Sequence, residues 1–104
     1  MLFAVWASDS EGALPARLRV REAHRARLRA PAPHEVEVLL AGPLLSEAVM
    51  NDAAMNGTLL IVRAENIDAV RAFVAADPYA LAGVYGSVDI RPFKCGLGPL
   101  QEFA

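Results

Sequence analysis

The order of strand-like and helix-like segments along this chain leaves few folds open. Four short segments are apolar or alternate apolar with polar residues, as strands do, and two longer segments have the composition and periodicity of helices. The predicted strands are 2–7, 35–42, 58–64 and 87–93, and the predicted helices are 13–30 and 67–76. The order βαββαβ predicts an α+β, ferredoxin-like fold, in which two helices cover one face of a four-stranded antiparallel sheet.

The strands also predict how the chain associates. With 104 residues there is room for one domain, 1–104, in which 95–104 form a glycine-punctuated tail. A lone domain of this size buries a modest core. Because the strands LFAVWA and TLLIVRA are apolar on both sides, helices on one face leave the other face in need of cover. We therefore expect a homodimer that packs sheet face on sheet face.

Charge and cysteine content exclude several classes of protein. The formal net charge is −2, and no aromatic residues interleave with the six arginines between Arg17 and Arg29, so a nucleic-acid binder is not expected. The single cysteine, Cys95, excludes an intrachain disulfide and offers no spacing for a metal site. The opening residues do not resemble a signal peptide, and no apolar run reaches the roughly 18 residues of a membrane helix. The expected location is the cytoplasm, without a membrane partner.

Ionisable residues fall on the stripe of the first helix that is expected to be buried. At about 100° per residue, the apolar arc of this helix is defined by Leu14, Leu18, Val20 and Leu28. The same arc contains Arg17, Arg21 and His24, whereas Arg27 falls on the outer arc. Burial of an unpaired arginine costs several kcal/mol. These side chains therefore either reach out at an edge or line a polar pocket, where they meet acids or a ligand.

Asp77 raises the same question for the second helix, because its extrapolated position lies in the middle of an apolar stripe. One interpretation is structural: Asp77 ends the helix and caps a short turn that begins at Pro78. The other is functional: Asp77 faces His24, fixes its tautomer and lets the imidazole act as a general base near neutral pH. Arg17 and Arg21 would then attract an anionic substrate. Spacing alone leaves both interpretations open.

Two motifs carry a resemblance to a known family. An R-x-x-x-R-x-x-H run ends at His24, and a D-P-Y-x-x-x-G-V-Y run begins at Asp77, with LLAGPL between them and SVDIRPFK after them. In these features the chain resembles the YCII family of YciI-like proteins over nearly its whole length. The resemblance implies a ferredoxin-like fold that dimerises as a dimeric α/β barrel, and an active-site pair that corresponds to His24 and Asp77. It also implies acid/base chemistry without metal or organic cofactor, with lyase-type elimination on small oxygenated rings as the nearest activity.

Two functions follow from this sequence. The first is a small cofactor-independent enzyme, lyase- or isomerase-like, that acts on a small anionic or phenolic substrate. Its predicted catalytic residues are His24 and Asp77, and its predicted substrate-binding residues are Arg17, Arg21 and Ser46. The alternative is a non-catalytic homodimeric module that binds a small ligand or a partner, in which Asp77 is a cap and an ion-pair partner. Asp9, which follows the first predicted strand, is interpreted as a solvated turn residue.

Overall fold

The structure is a computed structural model, and it describes residues 1–30, 35–48, 51 and 54–103. The connector that contains His34 lies outside the described residues. The strands are β1 (Leu2–Asp9), β2 (Glu37–Leu45), β3 (Met55–Arg63) and β4 (Tyr85–Phe93). The helices are α1 (Leu14–Arg29), α2 (Ile67–Ala75) and the short α3 (Pro78–Leu81), and a 3₁₀ turn spans Gln101–Phe103.

The four strands form one sheet in the order β2-β3-β1-β4, and every neighbouring pair is antiparallel. Each helix therefore links two strands that run in the same direction and have a third strand between them. This arrangement confirms the predicted α+β, ferredoxin-like fold. Within the described residues no helix is both long and apolar enough to cross a membrane.

One face of the sheet packs on α2 to form the main core. Alternate residues of β1 and β3, among them Phe3, Val5, Leu60 and Val62, meet the buried stripe of α2, which includes Phe73. Each such side chain contributes about 1.5–3 kcal/mol when it is fully removed from water. Because strand residues alternate between faces, this core also determines that Asp9, two residues beyond Ala7, lies on the helix side of the sheet.

The second strand is longer than the sequence predicts. The predicted strand ends at Gly42, because Pro43 was expected to terminate it, but β2 continues to Leu45, with Pro43 opposite Thr58 of β3. The expectation was wrong because β2 is an edge strand, and a proline whose missing N–H faces the open side of the sheet removes no ladder hydrogen bond. The extra length places Leu44 opposite Gly57 and Leu45 opposite Met55 of β3.

A glycine allows the strands to approach closely at this end of the sheet. A Cβ atom on Gly57 of β3 would lie 2.6 Å from the carbonyl oxygen of Ala7 and 2.9 Å from a methyl group of Leu44. No side chain fits there without a backbone shift. Gly57 therefore keeps β1 and β3 in register beside Thr58, whose side chain faces the helices.

Capping residues determine where the second half of the helical layer begins and ends. The side chain of Asn66 accepts a hydrogen bond from the Ala69 amide and starts α2. At the other end, Asp77 has an extended backbone conformation and is the N-cap of α3, with Pro78 in the first turn. The predicted cap at Asp77 is confirmed, and the turn after it is a helix of four residues.

Candidate active site

A cavity of about 320 Å³ lies between α1 and the edge of the sheet formed by β2 and β3. Four arginines line it, together with several small or apolar residues. No carboxylate is present among the described residues that line it, so the cavity favours an anionic ligand. The lining residues are Arg17, Arg21, His24, Arg25, Leu28, Arg29, Ala41, Gly42, Pro43, Met55, Thr58 and Tyr79.

His24 and Asp77 are in direct contact behind this cavity. Nδ1 of His24 lies 2.8 Å from both carboxylate oxygens of Asp77, and both residues are buried although they are 53 positions apart in sequence. An ionised carboxylate accepts a hydrogen bond from Nδ1–H, and this leaves Nε2 as the ring nitrogen for proton exchange with a ligand. The predicted juxtaposition of these two residues is found in the structure, whereas their catalytic role stays a prediction.

Asp77 also serves the structural purpose that the sequence suggested. Its Oδ1 accepts a hydrogen bond of 2.8 Å from the Tyr79 amide at the start of α3. The capping interpretation and the pairing interpretation are therefore both correct for the same carboxylate. The capping hydrogen bond restricts the orientation of the Asp77 carboxylate, whose two oxygens also contact His24.

A stack of rings fixes the orientation of His24. Its imidazole lies on the ring of Tyr79 with the centroids 3.8 Å apart and the planes at 19°. The guanidinium carbon of Arg17 lies 4.3 Å from the same Tyr79 ring. Burial raises the pKa of Tyr79, and the nearby Arg17 and Arg21 offset only part of this shift. Tyr79 is thus a neutral phenol at physiological pH.

Arg17 is held by several interactions inside the protein. Its Nε and Nη2 donate two hydrogen bonds of 2.8 Å to the carboxylate of Asp9, and Nη2 donates another of 2.8 Å to Thr58. Burial lowers the pKa of Arg17, but the hydrogen bonds and charge of Asp9 more than offset this, so that the pKa is raised. The role of Arg17 as a substrate-binding residue stays a prediction. The donors that pair with Asp9 and Thr58 would have to be shared with a substrate or released to it.

The interpretation of Asp9 as a solvated residue was wrong. Its side chain is only 5% exposed and makes the bidentate pair with Arg17. The predicted strand ended two residues too early, at Ala7. Had the strand been extended to Asp9, its alternation would have placed this carboxylate on the same face as Val5 and Ala7, which was the one signal available in the sequence.

The buried arc of α1 is rotated relative to the predicted one. Leu18, which was assigned to that arc, is 50% exposed, whereas the side chain of Arg27, assigned to the outer arc, is 19% exposed. The guanidinium carbon of Arg27 lies 4.2 Å from the ring centroid of Phe73, and its Nη1 lies 4.0 Å from Oδ2 of Asp77. The buried arc therefore centres on His24 and follows the ionisable residues more closely than the leucines.

The other predicted binding residues divide between cavity and surface. Arg21 lines the cavity, as expected of a substrate-binding residue. Ser46 is not among the described residues that line the cavity. Its hydroxyl accepts a hydrogen bond of 3.3 Å from the Ala48 amide in the turn after β2. Arg25 and Arg29 also line the cavity, although the sequence did not single them out. They follow Arg21 at intervals of four residues, the spacing that places helix residues on one face.

Comparisons with known proteins agree with this architecture. Residues 1–94 match the family model described as the YCII-related domain. The chain is 40% identical over 97 residues to Protein YciI of Escherichia coli O6:H1, which covers 90% of this chain and 97% of that protein. It is 38% identical over 96 residues to an uncharacterized protein of Haemophilus influenzae, again with 90% and 97% of the two chains covered.

A solved structure is similar over almost the same extent. It is that of 5-chloro-2-hydroxyhydroquinone dehydrochlorinase (TftG) from Burkholderia phenoliruptrix AC1100 in complex with 2,5-dihydroxybenzoquinone. The two chains superpose with a TM-score of 0.82 at 33% sequence identity, over 92% of this chain and 96% of the other. With a family match over residues 1–94 and close relatives along nearly its whole length, this protein belongs to the YCII-related family.

Proposed function

We propose that this protein is a cofactor-independent acid/base enzyme that carries out lyase-type elimination on a small hydroxylated ring. The observation that carries the proposal is the 2.8 Å contact between His24 Nδ1 and Asp77 at the wall of a cationic cavity. A histidine whose Nδ1 is held by a carboxylate is a suitable general base, because its tautomer and orientation are determined before substrate binds.

The proposed step needs no oxidant or reductant. Nε2 of His24 takes the proton of one ring hydroxyl and delivers a proton to the ring carbon that bears the leaving group X. The first oxygen thereby becomes a ketone, and the carbon that bears X becomes tetrahedral. His24 then takes the proton of a second ring hydroxyl, and the electron pair released from that O–H bond moves through the ring as X leaves with the electrons of its own bond, so that the net change is the loss of HX. Asp77 stabilises the imidazolium that forms, and His24 then gives up its proton to the leaving group or to solvent.

The lining of the cavity supports an anionic or phenolic substrate. Arg21, Arg25 and Arg29 place positive charge along one side, where a phenolate or carboxylate would be attracted. Leu28 and Met55 offer apolar surface to the body of a ring. TftG, to judge by its name, removes chloride from a chlorinated hydroxyhydroquinone, and this is a phenolic elimination of the proposed kind.

The experiment is a turnover assay with 5-chloro-2-hydroxyhydroquinone as the probe, in which released chloride is measured. His24→Gln is expected to lower the rate by about 10²–10⁴-fold, since a general base contributes an effect of this size. The matched control is His34→Gln, which changes the other histidine of the chain. Equal rates for the two variants would contradict the proposal. Tight binding of 2,5-dihydroxybenzoquinone without turnover would instead favour a non-catalytic ligand-binding module.

We also propose that the protein forms a homodimer through the sheet face that lies opposite the helices. Strand alternation places Trp6, Leu40 and Phe93 on this face, and Trp6 is 54% exposed. Exposed large apolar residues grouped on one sheet face are typical of an interface. Light scattering at micromolar concentration is expected to give about twice the monomer mass of 11.1 kDa, and a monomeric mass would contradict the dimer.

A further inference from the structure

Arg27 has an environment that packing alone does not explain. Its Nη1 is buried and has no hydrogen-bond partner among the residues that the structure describes. The same atom lies 4.0 Å from Oδ2 of Asp77, beyond hydrogen-bond distance but close enough for a strong electrostatic interaction. The guanidinium carbon lies 4.2 Å from the centroid of the Phe73 ring, which supports the plane of the side chain.

A buried donor without a partner lowers stability, so a purely structural role would be met better by another residue. A methionine has a similar length and packs well against the ring of Phe73 without bringing a polar group out of water. What arginine adds at this position is a permanent positive charge beside Asp77. The candidate role of Arg27 is therefore electrostatic.

We propose that Arg27 is a positioning residue for the His24–Asp77 pair, whose charge holds Asp77 as a carboxylate and opposes protonation of His24. Asp77 on its own would favour the imidazolium, and a base that already carries its proton cannot accept one from substrate. The charge of Arg27 works in the opposite direction. For turnover the inference rests on the proposed function, but the effect on the titration of His24 does not require it.

Other charged and titratable groups that the structure describes also lie around His24. From α1, Arg17 is paired with Asp9 of β1, and Arg21 lines the cavity. From α3, Tyr79 stacks on the imidazole, and from β4 Tyr85 packs against Tyr79 with their planes at 76°. Burial raises the pKa of both tyrosines, so they stay neutral through the pH range in which a histidine changes charge.

The experiment is an NMR titration of the His24 ring, with a His34→Gln background so that a single histidine signal remains. Arg27→Met is expected to move the titration midpoint of His24 upward by about one pH unit, because a nearby positive charge has been removed. Arg27→Lys keeps the charge and is expected to move it much less. The control Arg19→Met removes an exposed arginine from the same helix and is expected to leave the midpoint in place.

A midpoint in Arg27→Met equal to that in Arg19→Met would overturn the inference. If Arg27→Met does not fold, Arg27→Gln removes the same charge and keeps a polar side chain, and the same comparison applies to it. In the turnover assay, the acidic limb of the pH–rate profile is expected to move upward by the same interval. A shifted midpoint in a protein without any turnover would sustain the role of Arg27 and count against the proposed function, so the two failures are distinguishable.

Discussion

Arg17 and Arg27 lie on the same buried side of one helix, ten positions apart in the sequence, and their surroundings differ sharply. Arg17 donates hydrogen bonds to Asp9 and to Thr58, and covers an aromatic ring. Arg27 also covers an aromatic ring, but its Nη1 has no hydrogen-bond partner among the described residues. The comparison teaches that the same residue type on the same helix face can either join two elements or supply a charge.

The carboxylates explain this difference. Asp9 is on a strand opposite Arg17, and both of its oxygens are used by that arginine. Asp77 is already bound by His24 and by the Tyr79 amide, so that Arg27 interacts with it only at 4.0 Å. Arg17 is therefore expected to contribute mainly to stability, and Arg27 mainly to the chemistry of His24.

The largest effect is expected where the Arg17 pair is broken. Asp9→Ala leaves a buried guanidinium without its counter-charge, which typically lowers the free energy of unfolding by about 3–5 kcal/mol. Urea unfolding measures this change. The control is Glu37→Gln, which breaks the exposed pair between Arg63 and Glu37 and is expected to cost less than about 1 kcal/mol. Similar losses for the two variants would mean that the Arg17 pair is not the stabilising one.

The next effect concerns Asp77 and separates activity from stability. An asparagine can still cap α3 through its amide oxygen, so Asp77→Asn is expected to change the free energy of unfolding by about 1 kcal/mol or less. Turnover is expected to fall by at least about 10²-fold, because the neutral amide no longer fixes the tautomer of His24 or stabilises its charged form. Parallel urea unfolding and chloride release test both statements. A loss of several kcal/mol with unchanged turnover would assign Asp77 to structure alone.

The smallest effect is a dependence of the free energy of unfolding on alkaline pH, which arises from the two tyrosines near Arg17. Burial raises the pKa of Tyr79 and Tyr85 above the ordinary value of 10.0, so both remain protonated in the folded protein at pH values where the unfolded chain ionises. Their contribution to stability is thus complete below pH 10 and is lost as the pH rises above it. Tyr85→Phe is expected to reduce this alkaline loss by about 0.5–1 kcal/mol per pH unit. Lys94→Gln is the control, and an equal reduction by it would contradict the assignment.

Much of the fold and part of the site could be predicted from the sequence, for local reasons. Segment order led to the sheet topology, and the Asp-Pro junction predicted the cap at Asp77. Helical periodicity placed Arg17 and His24 on the buried arc. The error at Pro43 arose because a proline is tolerated on an edge strand, and edge position depends on the order of strands in the sheet.

The sequence by itself determined which residues of a strand share a face and that Arg17 and His24 lie on the buried side of α1, since the periods of strand and helix are properties of the local backbone. Only the tertiary structure decided which charges meet. Asp9 reaches Arg17, Asp77 reaches His24, and Arg27 stops 4.0 Å short of Asp77. Those pairings depend on how α1 rotates and settles against the sheet and α3. The rotation of a helix depends on the close packing of all the side chains around it, and the periodicity of a single segment does not predict it.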